Sequence, residues 1–168
     1  NQQELGQLKL WDAAMGKELR VLLSLPGVFL GDVALSPDGG RIAAIVSSSA
    51  GNQEKSDIDD QVKIWDADSS REIISLEPRM RNCQNLAFSS DGKRIVAASG
   101  GFWEPAEAHV WDSASGRELL RLKGHSGRIS DIHFSPDGRR IASAASSQGA
   151  QAVEVKLWDS ASGQELLT

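Results

Sequence analysis

Residues 124–159 read GHSGRISDIHFSPDGRRIASAASSQGAQAVEVKLWD, and they contain two short markers that recur along the 168-residue chain. The marker at the end of this stretch is Trp158-Asp159, and the same dipeptide stands at residues 11–12, 65–66 and 111–112. A recurrence with a period near 50 residues indicates a repeat architecture. In such a fold each unit cannot bury its apolar face alone and therefore stacks on its neighbours.

The second marker, Ser-x-Asp-Gly, runs in phase with the first, at residues 36–39, 89–92 and 135–138. Each Asp-Gly lies between two apolar runs, which is typical of a hairpin turn whose glycine takes a positive φ. A second turn is expected after each Trp-Asp, where residues 15–19, 70–73, 115–119 and 162–166 lead into another apolar run.

Between the turns the side chains alternate with period two, as in Gln61–Trp65 and Glu154–Trp158, and this alternation predicts half-buried strands rather than helices. We expect four strands in each repeat, named a to d in chain order. In the last repeat they run from Ile129 to Phe134, from Arg140 to Ala145, from Ala152 to Trp158, and from Glu165 onward.

These residues resemble those of WD40-repeat proteins, above all Gly124-His125, the Phe134–Gly138 segment and Val155–Asp159. The resemblance covers essentially the whole chain. The repeated turns are similar in sequence to those in the WD repeats of bacterial multidomain proteins. It implies an all-β fold, a WD40-type β-propeller, in which four-stranded antiparallel blades pack radially with strand a innermost in rings of about 4–8 blades.

Counting strands predicts about three and a half blades in one propeller domain. Residues 1–25 would form strands c and d of a half blade, and 26–77, 78–123 and 124–168 would each form a blade. We therefore expect either a piece of a longer chain or a propeller whose missing strands come from another polypeptide. Self-association or the remainder of the propeller would be needed to cover the open blade faces.

The recurring tryptophans Trp11, Trp65, Trp111 and Trp158 are predicted to pack between blades, because each ring can bury about 150–250 Å². The family resemblance also implies a hydrogen-bonded set around each tryptophan. Beside Trp158, His125 and Ser143 would belong to this set, but no matching Asp is present. Asp59 is the only well-placed acidic residue between strands b and c. We therefore expect the blades to depend more on apolar packing than on polar networks.

Composition excludes several classes of function. A net charge of −5 argues against nucleic acid as a partner, since that affinity requires clustered Lys and Arg. The single cysteine, Cys83, favours a reducing compartment, with the cytoplasm as the default, and no apolar run is long enough to span a membrane. The three histidines lack metal-ligand spacing and no catalytic motif appears, so we expect neither an enzyme nor a cofactor.

A protein or peptide partner is the remaining expectation, and the loops that break the repeat are the place for it. In a propeller the d–a and b–c loops emerge on one face. The candidate contact residues there include aromatic and arginine side chains, which are enriched in interfaces. They are Phe102, Trp103 and Glu104 in a b–c loop, Arg79, Met80 and Arg81 in a d–a loop, and Phe29, Asn82 and Arg128 where strand a begins.

Other interpretations stay open at this point. Phe102 and Trp103 could fold back on the blade edge, and the arginines could be solvated loop charges. The leading hypothesis is a non-catalytic interaction scaffold or sensor module. The alternatives are a propeller that assists an attached enzyme, for which strand a offers only Asp32, Asn85, Asp131 and His133, and a purely architectural repeat.

Overall fold

The computed structural model describes residues 5–26, 28–48, 59–77, 80–100, 106–146 and 153–168. Within these ranges the chain forms fifteen β-strands and no helix. No described segment is a helix capable of crossing a membrane. The all-β class and the four-stranded antiparallel sheets predicted from the sequence are therefore confirmed.

The strands fall into four antiparallel sheets that follow one another along the chain. The first sheet has two strands and each of the others has four principal strands in the order of the sequence, joined in the second sheet by the short extra strand β7. The bounds are β1 Leu5–Trp11 and β2 Glu18–Pro26 in the first sheet; β3 Val28–Leu35, β4 Arg41–Ser48, β5 Asp59–Asp66, β6 Glu72–Ser75 and β7 Met80–Arg81 in the second; β8 Asn85–Phe88, β9 Arg94–Ser99, β10 Ala106–Asp112 and β11 Glu118–His125 in the third; and β12 Arg128–Phe134, β13 Arg140–Ser146, β14 Val153–Asp159 and β15 Glu165–Leu167 in the fourth.

The two repeated markers form the turns at one edge of the sheets. In the Ser-x-Asp-Gly turn between β8 and β9, the Ser89 hydroxyl donates to Asp91 Oδ1 (2.6 Å) and accepts from Arg94 N (2.9 Å). In the turn after Trp111, Asp112 Oδ1 accepts from Ser115 N at 2.8 Å. Short polar side chains thus satisfy backbone groups that strand pairing leaves free, which explains why the same residues recur.

The core consists of three apolar clusters, each of which lies between successive sheets. Trp65 is buried between the first and second sheets, Trp111 between the second and third, and Trp158 between the third and fourth. These three rings therefore pack between successive sheets. Trp11 differs, because it is 53% exposed: it lies in the first sheet, on which no preceding sheet is stacked within the described residues.

Arginines at the start of strand b connect the second sheet to the third and the third sheet to the fourth, a contact that the sequence analysis did not anticipate. Arg94 donates to Gly138 O and to Ser160 O, both at 2.6 Å, and its guanidinium lies 5.1 Å from the centroid of the Phe134 ring. Arg41 makes the same set one sheet earlier, to Gly92 O (2.8 Å), Ser113 Oγ (2.9 Å) and the ring of Phe88. Each arginine therefore joins two turns and an aromatic ring of the following sheet.

Candidate interaction face

The candidate site lies at the sheet edge opposite these turns, where each strand a begins. Phe29, Asn82 and Arg128 stand at the same place in successive repeats, and we call these three residues the entry rim. Phe29 and Arg128 lie on β3 and β12, whereas Asn82 precedes β8. Register places Phe29 opposite Ser47 and Arg128 opposite Ser146, both near the ends of strand b.

The entry rim is accessible to a partner. Phe29 is 58% exposed, Asn82 is exposed, and Arg128 is half-buried. Arg81, next to Asn82, is also exposed. Asn82 has a φ of 52°, in the left-handed region that asparagine tolerates better than most residues. The entry rim and the adjacent Arg81 thus offer an aromatic ring, an amide and two guanidinium groups on neighbouring sheets.

A hydrogen-bond network around His125 lies next to the loop that leads to Arg128. His125 Nε2 lies 2.6 Å from Ser143 Oγ, which also accepts the indole N–H of Trp158 at 2.9 Å. Glu154 Oε2 lies 2.9 Å from His125 Nδ1. The acidic member of this network is Glu154, which lies on strand c rather than in the b–c turn.

Glu154 also fixes the loop that leads to Arg128. Its carboxylate accepts from Ser126 N at 3.1 Å, and Lys156 Nζ lies 3.3 Å away. Burial acts to raise the pKa of Glu154, but the hydrogen bonds from Ser126, His125 and Lys156 outweigh it and lower the pKa to about 2. The carboxylate is therefore charged at neutral pH and holds the d–a loop to strand c.

A second carboxylate holds the preceding d–a loop in the same way. Asp60, at the start of β5, is buried, accepts from Cys83 N at 2.6 Å, and makes a short hydrogen bond with the Ser47 hydroxyl. The sequence had singled out its neighbour Asp59, whose backbone pairs with Arg81. A sequence signal for Asp60 is its position at the end of the b–c loop, one residue after Asp59.

Met80 requires a correction. It was predicted to be a surface contact, but it is only 4% exposed and packs in the cluster that contains Cys83, Leu86 and Trp111. Its pairing with Asp60 turns the side chain into the core. In the same region the Trp111 indole N–H donates to Glu77 O at 2.7 Å, which replaces the serine acceptor that Ala97 cannot provide.

The remaining predicted contact residues, Arg79, Phe102, Trp103 and Glu104, lie outside the described residues. The polar residues of strand a do not form a catalytic cluster in the described part of the chain. Asp32 Oδ2 accepts from Leu86 N (3.0 Å) of the next sheet, which is a structural role. Asp131 and His133 form an exposed pair at 3.0 Å.

None of the three histidines belongs to a cluster of metal-ligating side chains among the residues that the structure describes. His109 lies where other repeats have Lys: its Nδ1 is 2.8 Å from Glu118, and it stacks on Trp111. The matching cross-strand pairs are Lys9–Glu18, Lys63–Glu72 and Lys156–Glu165, each at 2.9 Å. No group of three or more metal-ligating side chains occurs among the described residues.

Comparison with known proteins finds matches to WD-repeat sequences. A family model described as "WD domain, G-beta repeat" matches residues 116–149, which span β11, β12 and β13. The small ribosomal subunit protein RACK1 of Caenorhabditis elegans is 31% identical over 103 residues, covering 55% of this chain and 27% of the relative. The chain thus matches about a quarter of the length of that curated relative.

Solved structures share the fold at low sequence identity. TolB from Acinetobacter baumannii aligns with a TM-score of 0.66 at 20% identity, covering 96% of this chain and 37% of TolB. A chain of the mitotic checkpoint complex gives 0.70 at 20%, with 96% and 43% covered, and Kuenenia stuttgartiensis hydrazine synthase gives 0.73 at 18%, with 95% and 42% covered. Together with the successive four-stranded sheets, these structures show that the chain folds as an arc of a β-propeller, and the family model identifies a WD40 repeat at residues 116–149.

Proposed function

We propose that this chain is a non-catalytic protein-interaction module that presents the d–a and b–c loops of one propeller face to a protein or peptide. The observation that carries the proposal is a pair of carboxylates next to the entry rim, of which Asp60 is buried and Glu154 is partly buried. Asp60 and Glu154 each bond a backbone N–H of a d–a loop, at Cys83 and Ser126, close to Asn82 and Arg128. A loop held in one conformation loses less entropy when it binds.

The chemistry of the rim favours a polypeptide over a polyanion. An aromatic ring (Phe29) is combined with an amide (Asn82) and guanidinium groups (Arg81, Arg128) on a chain whose net charge is −5. Arginine and aromatic side chains are the residue types enriched in the contact regions of protein interfaces. The relative RACK1 is, by its name, a component of the small ribosomal subunit, and a role within an assembly is the kind of function proposed here.

The proposal is tested by affinity capture from a lysate of the source cells, with proteins quantified by mass spectrometry. The test variant combines Phe29→Ala with Arg81→Ala and Arg128→Ala. We expect it to lose the proteins that the wild-type chain enriches, by about tenfold or more, because central aromatic and arginine contacts each contribute roughly 1–2 kcal/mol or more.

The matched control is Leu35→Ala with Arg117→Ala and Arg139→Ala, which removes an exposed apolar side chain and two exposed arginines from the opposite edge. The control should keep the captured proteins. An identical set of captured proteins from wild type and test variant, or equal losses from both variants, would show that the entry rim is not the binding face. The proposed loop residues Arg79, Phe102, Trp103 and Glu104 are tested in a second combined variant.

A further inference from the structure

The third sheet carries a histidine at a place where the other three sheets carry lysine. Lys9, Lys63 and Lys156 each lie 2.9 Å from the glutamate that begins strand d of their own sheet. His109 makes the equivalent contact, with its Nδ1 2.8 Å from Glu118 Oε1. A lysine stays charged throughout the physiological pH range, whereas a histidine changes its charge within it. Of these four pairs, the one in the third sheet is therefore the pair that mild acid can change.

An arginine already neutralises the carboxylate of Glu118. Arg121 donates from Nε to Glu118 Oε1 at 3.0 Å and from Nη2 to Oε2 at 3.1 Å. Three residues after the corresponding glutamate the other sheets have Val21, Ser75 and Thr168, so an arginine stands at this place in the third sheet alone. The hydrogen bond from Arg121 is the main cause that lowers the pKa of Glu118, and this carboxylate is therefore charged at neutral pH.

The second carboxylate near His109 is neutralised as well. Glu107 Oε2 lies 3.8 Å from His109 Nε2, and Glu107 Oε1 lies 2.9 Å from Lys123 Nζ. Two carboxylates and two permanent cations, Arg121 and Lys123, thus surround one imidazole ring. The charges of these four groups balance while His109 is neutral. A proton on His109 would leave a surplus positive charge in the cluster.

Burial makes that surplus charge unfavourable. His109 is 5% exposed, and its ring stacks on Trp111 with the two centroids 5.5 Å apart. Burial lowers the pKa of His109 below the ordinary 6.5, and the hydrogen bond and charge of Glu118 oppose this effect without cancelling it. The charge of Arg121 lowers the pKa further. The imidazole is therefore uncharged at neutral pH in the folded chain.

On its inner side the cluster is connected to the second sheet through Trp111. The Trp111 ring is fully buried in the apolar cluster between the second and third sheets, and its indole N–H donates to Glu77 O at 2.7 Å. The side chain of Glu77 is a charged group that the second sheet brings to this contact, and its carboxylate accepts from Gln61 of the same sheet at 3.2 Å. His109 therefore rests on the ring that joins the two sheets.

Strand β11 connects the cluster to the proposed interaction face. It begins at Glu118, beside His109, and ends at His125, whose Nδ1 lies 2.9 Å from Glu154 Oε2. The d–a loop that leads to Arg128 follows directly. A change in the attachment of β11 to β10 at the first end therefore reaches the loop through one continuous strand.

We propose that His109 is a pH-sensing residue. Acidification from about pH 7 to about pH 5 protonates it, weakens the attachment of β11 to β10, and so weakens binding at the entry rim. Because the charged carboxylate of Glu118 can only accept, Nδ1 carries the hydrogen of that bond and the added proton goes to Nε2. The part that concerns binding rests on the proposed function, whereas the change in β11 does not.

The direction of the effect on stability follows from the charge balance. The folded chain holds the His109 proton less tightly than the unfolded chain does. The stability that depends on a neutral His109 is therefore complete above pH 6.5, the ordinary value, and is lost as the pH falls from there through the pKa of the folded chain.

The first experiment follows the titration of the histidine ring protons by NMR, with His109→Gln used to assign the resonance of His109. We expect His109 to titrate below pH 6.5, the ordinary value. Arg121→Ser gives the third sheet the residue that the second sheet has at this place and leaves the Glu118 charge to the imidazole, so His109 should titrate about 1 pH unit higher. Lys63→His is the matched control, since a histidine placed there meets a carboxylate without a competing arginine and should titrate above His109.

The second experiment places a permanent charge at the site. His109→Lys should lower the Tm at neutral pH by about 4–8 °C, because the added charge has no spare carboxylate. In the Arg121→Ser background the same substitution should cost less than half as much, since lysine then pairs with Glu118 as Lys63 pairs with Glu72.

The third experiment compares the wild type with His109→Gln at one pH at a time, so that all other titratable groups are shared. At about pH 5.5, amide hydrogen exchange in residues 118–128 should be faster in the wild type, and at about pH 7 the two chains should be equal. The proteins that both chains capture at about pH 7 should be captured about threefold less by the wild type at about pH 5.5, and no less by His109→Gln.

Two sets of results would overturn the proposal. The first is a His109 that titrates at or above the ordinary value, or that titrates in the same way in Arg121→Ser, since the cluster would then not exclude the proton. The second is equal exchange in the two chains at about pH 5.5, which would show that protonation does not reach β11. Capture of no protein at either pH would contradict the proposed function, while titration and exchange would still decide whether His109 controls β11.

Discussion

At the scale of single residues, Glu154 takes the place of an acidic group that the family pattern would put in a turn. Its carboxylate reaches His125 and Ser126 from strand c, so a strand residue provides what a turn residue provides elsewhere. The consequence is that one side chain links the buried tryptophan network to the loop that carries Arg128.

Because Glu154 is charged in the folded chain, its contribution to the free energy of unfolding should be lost at low pH. Its pKa in the folded chain is about 2, below the ordinary 4.5, so between these values the unfolded chain takes up a proton that the folded chain does not. Stability from this group is full above pH 4.5 and is lost as the pH falls toward 2. Urea midpoints measured from pH 7 to pH 2 should fall less steeply in Glu154→Gln than in the wild type.

The control for that measurement is Asp68→Asn, which removes an exposed turn carboxylate. It should leave the pH profile parallel to that of the wild type. If Glu154→Gln and the wild type lose stability in parallel between pH 4.5 and pH 2, then the carboxylate does not hold the loop as described.

At the scale of structural elements, the turns after Trp111 and Trp158 pack against strand d of the preceding sheet. Gly116 has a φ of 71°, and a Cβ built on it would lie 2.4 Å from Ile74 Cδ1. Gly16 has a similar φ of 62° with no atom within 4 Å of such a Cβ. The two positions therefore share backbone strain and differ in the interface contact.

Alanine at these two glycines separates the two effects. Gly16→Ala should cost only the strain of a positive φ, whereas Gly116→Ala should also displace Ile74 and lower the free energy of unfolding by about 1 kcal/mol more. Equilibrium urea unfolding of both variants measures the difference. Equal losses in the two variants would mean that this turn does not contribute to the packing of the second sheet on the third.

Most of the turns and strands could be predicted from the sequence, because they depend on local patterns of residues. The last-repeat strands predicted from Ile129, Arg140 and Glu165 agree with β12, β13 and β15 within one residue at their starts. Arg41 and Arg94 could not be anticipated in the same way. Their acceptors lie 44–72 residues away in the sequence, so no local pattern reveals the contact.

At the scale of the whole molecule, stacked sheets contact only their neighbours, and stability should vary along the arc. The third sheet has apolar clusters on both faces, whereas the described residues cover only one face of the first and fourth sheets. We expect amide hydrogen exchange to be slowest in β9 and β10 and faster in β1 and β14.

Exchange measured by mass spectrometry at residue-level resolution tests this order. Comparing β10 with β14 is the matched case, because both are strand c of a four-stranded sheet and both carry a buried tryptophan. Equal protection of the two strands would indicate a single cooperative unit rather than sheets that open separately.

Position in the arc also explains where residue-level predictions from the sequence were wrong or incomplete. Trp11 has the same local sequence as the other tryptophans, and only its place in the first sheet leaves it half exposed. Met80 follows an irregular end of strand d, and the pairing of β7 with β5 turns it inward. Neither outcome is encoded in the repeat pattern, because both depend on which sheets lie alongside.

Both arginines bind residues that follow them in the sequence, and this order has a consequence for synthesis on the ribosome. Arg41 finds its acceptors at Gly92 and Ser113, and Arg94 finds them at Gly138 and Ser160, always later in the chain. The second and third sheets therefore emerge before the groups that complete their outer faces have been translated. We expect the nascent arc to form one interface at a time, with the outer face of the last completed sheet exposed until the next sheet has been synthesised.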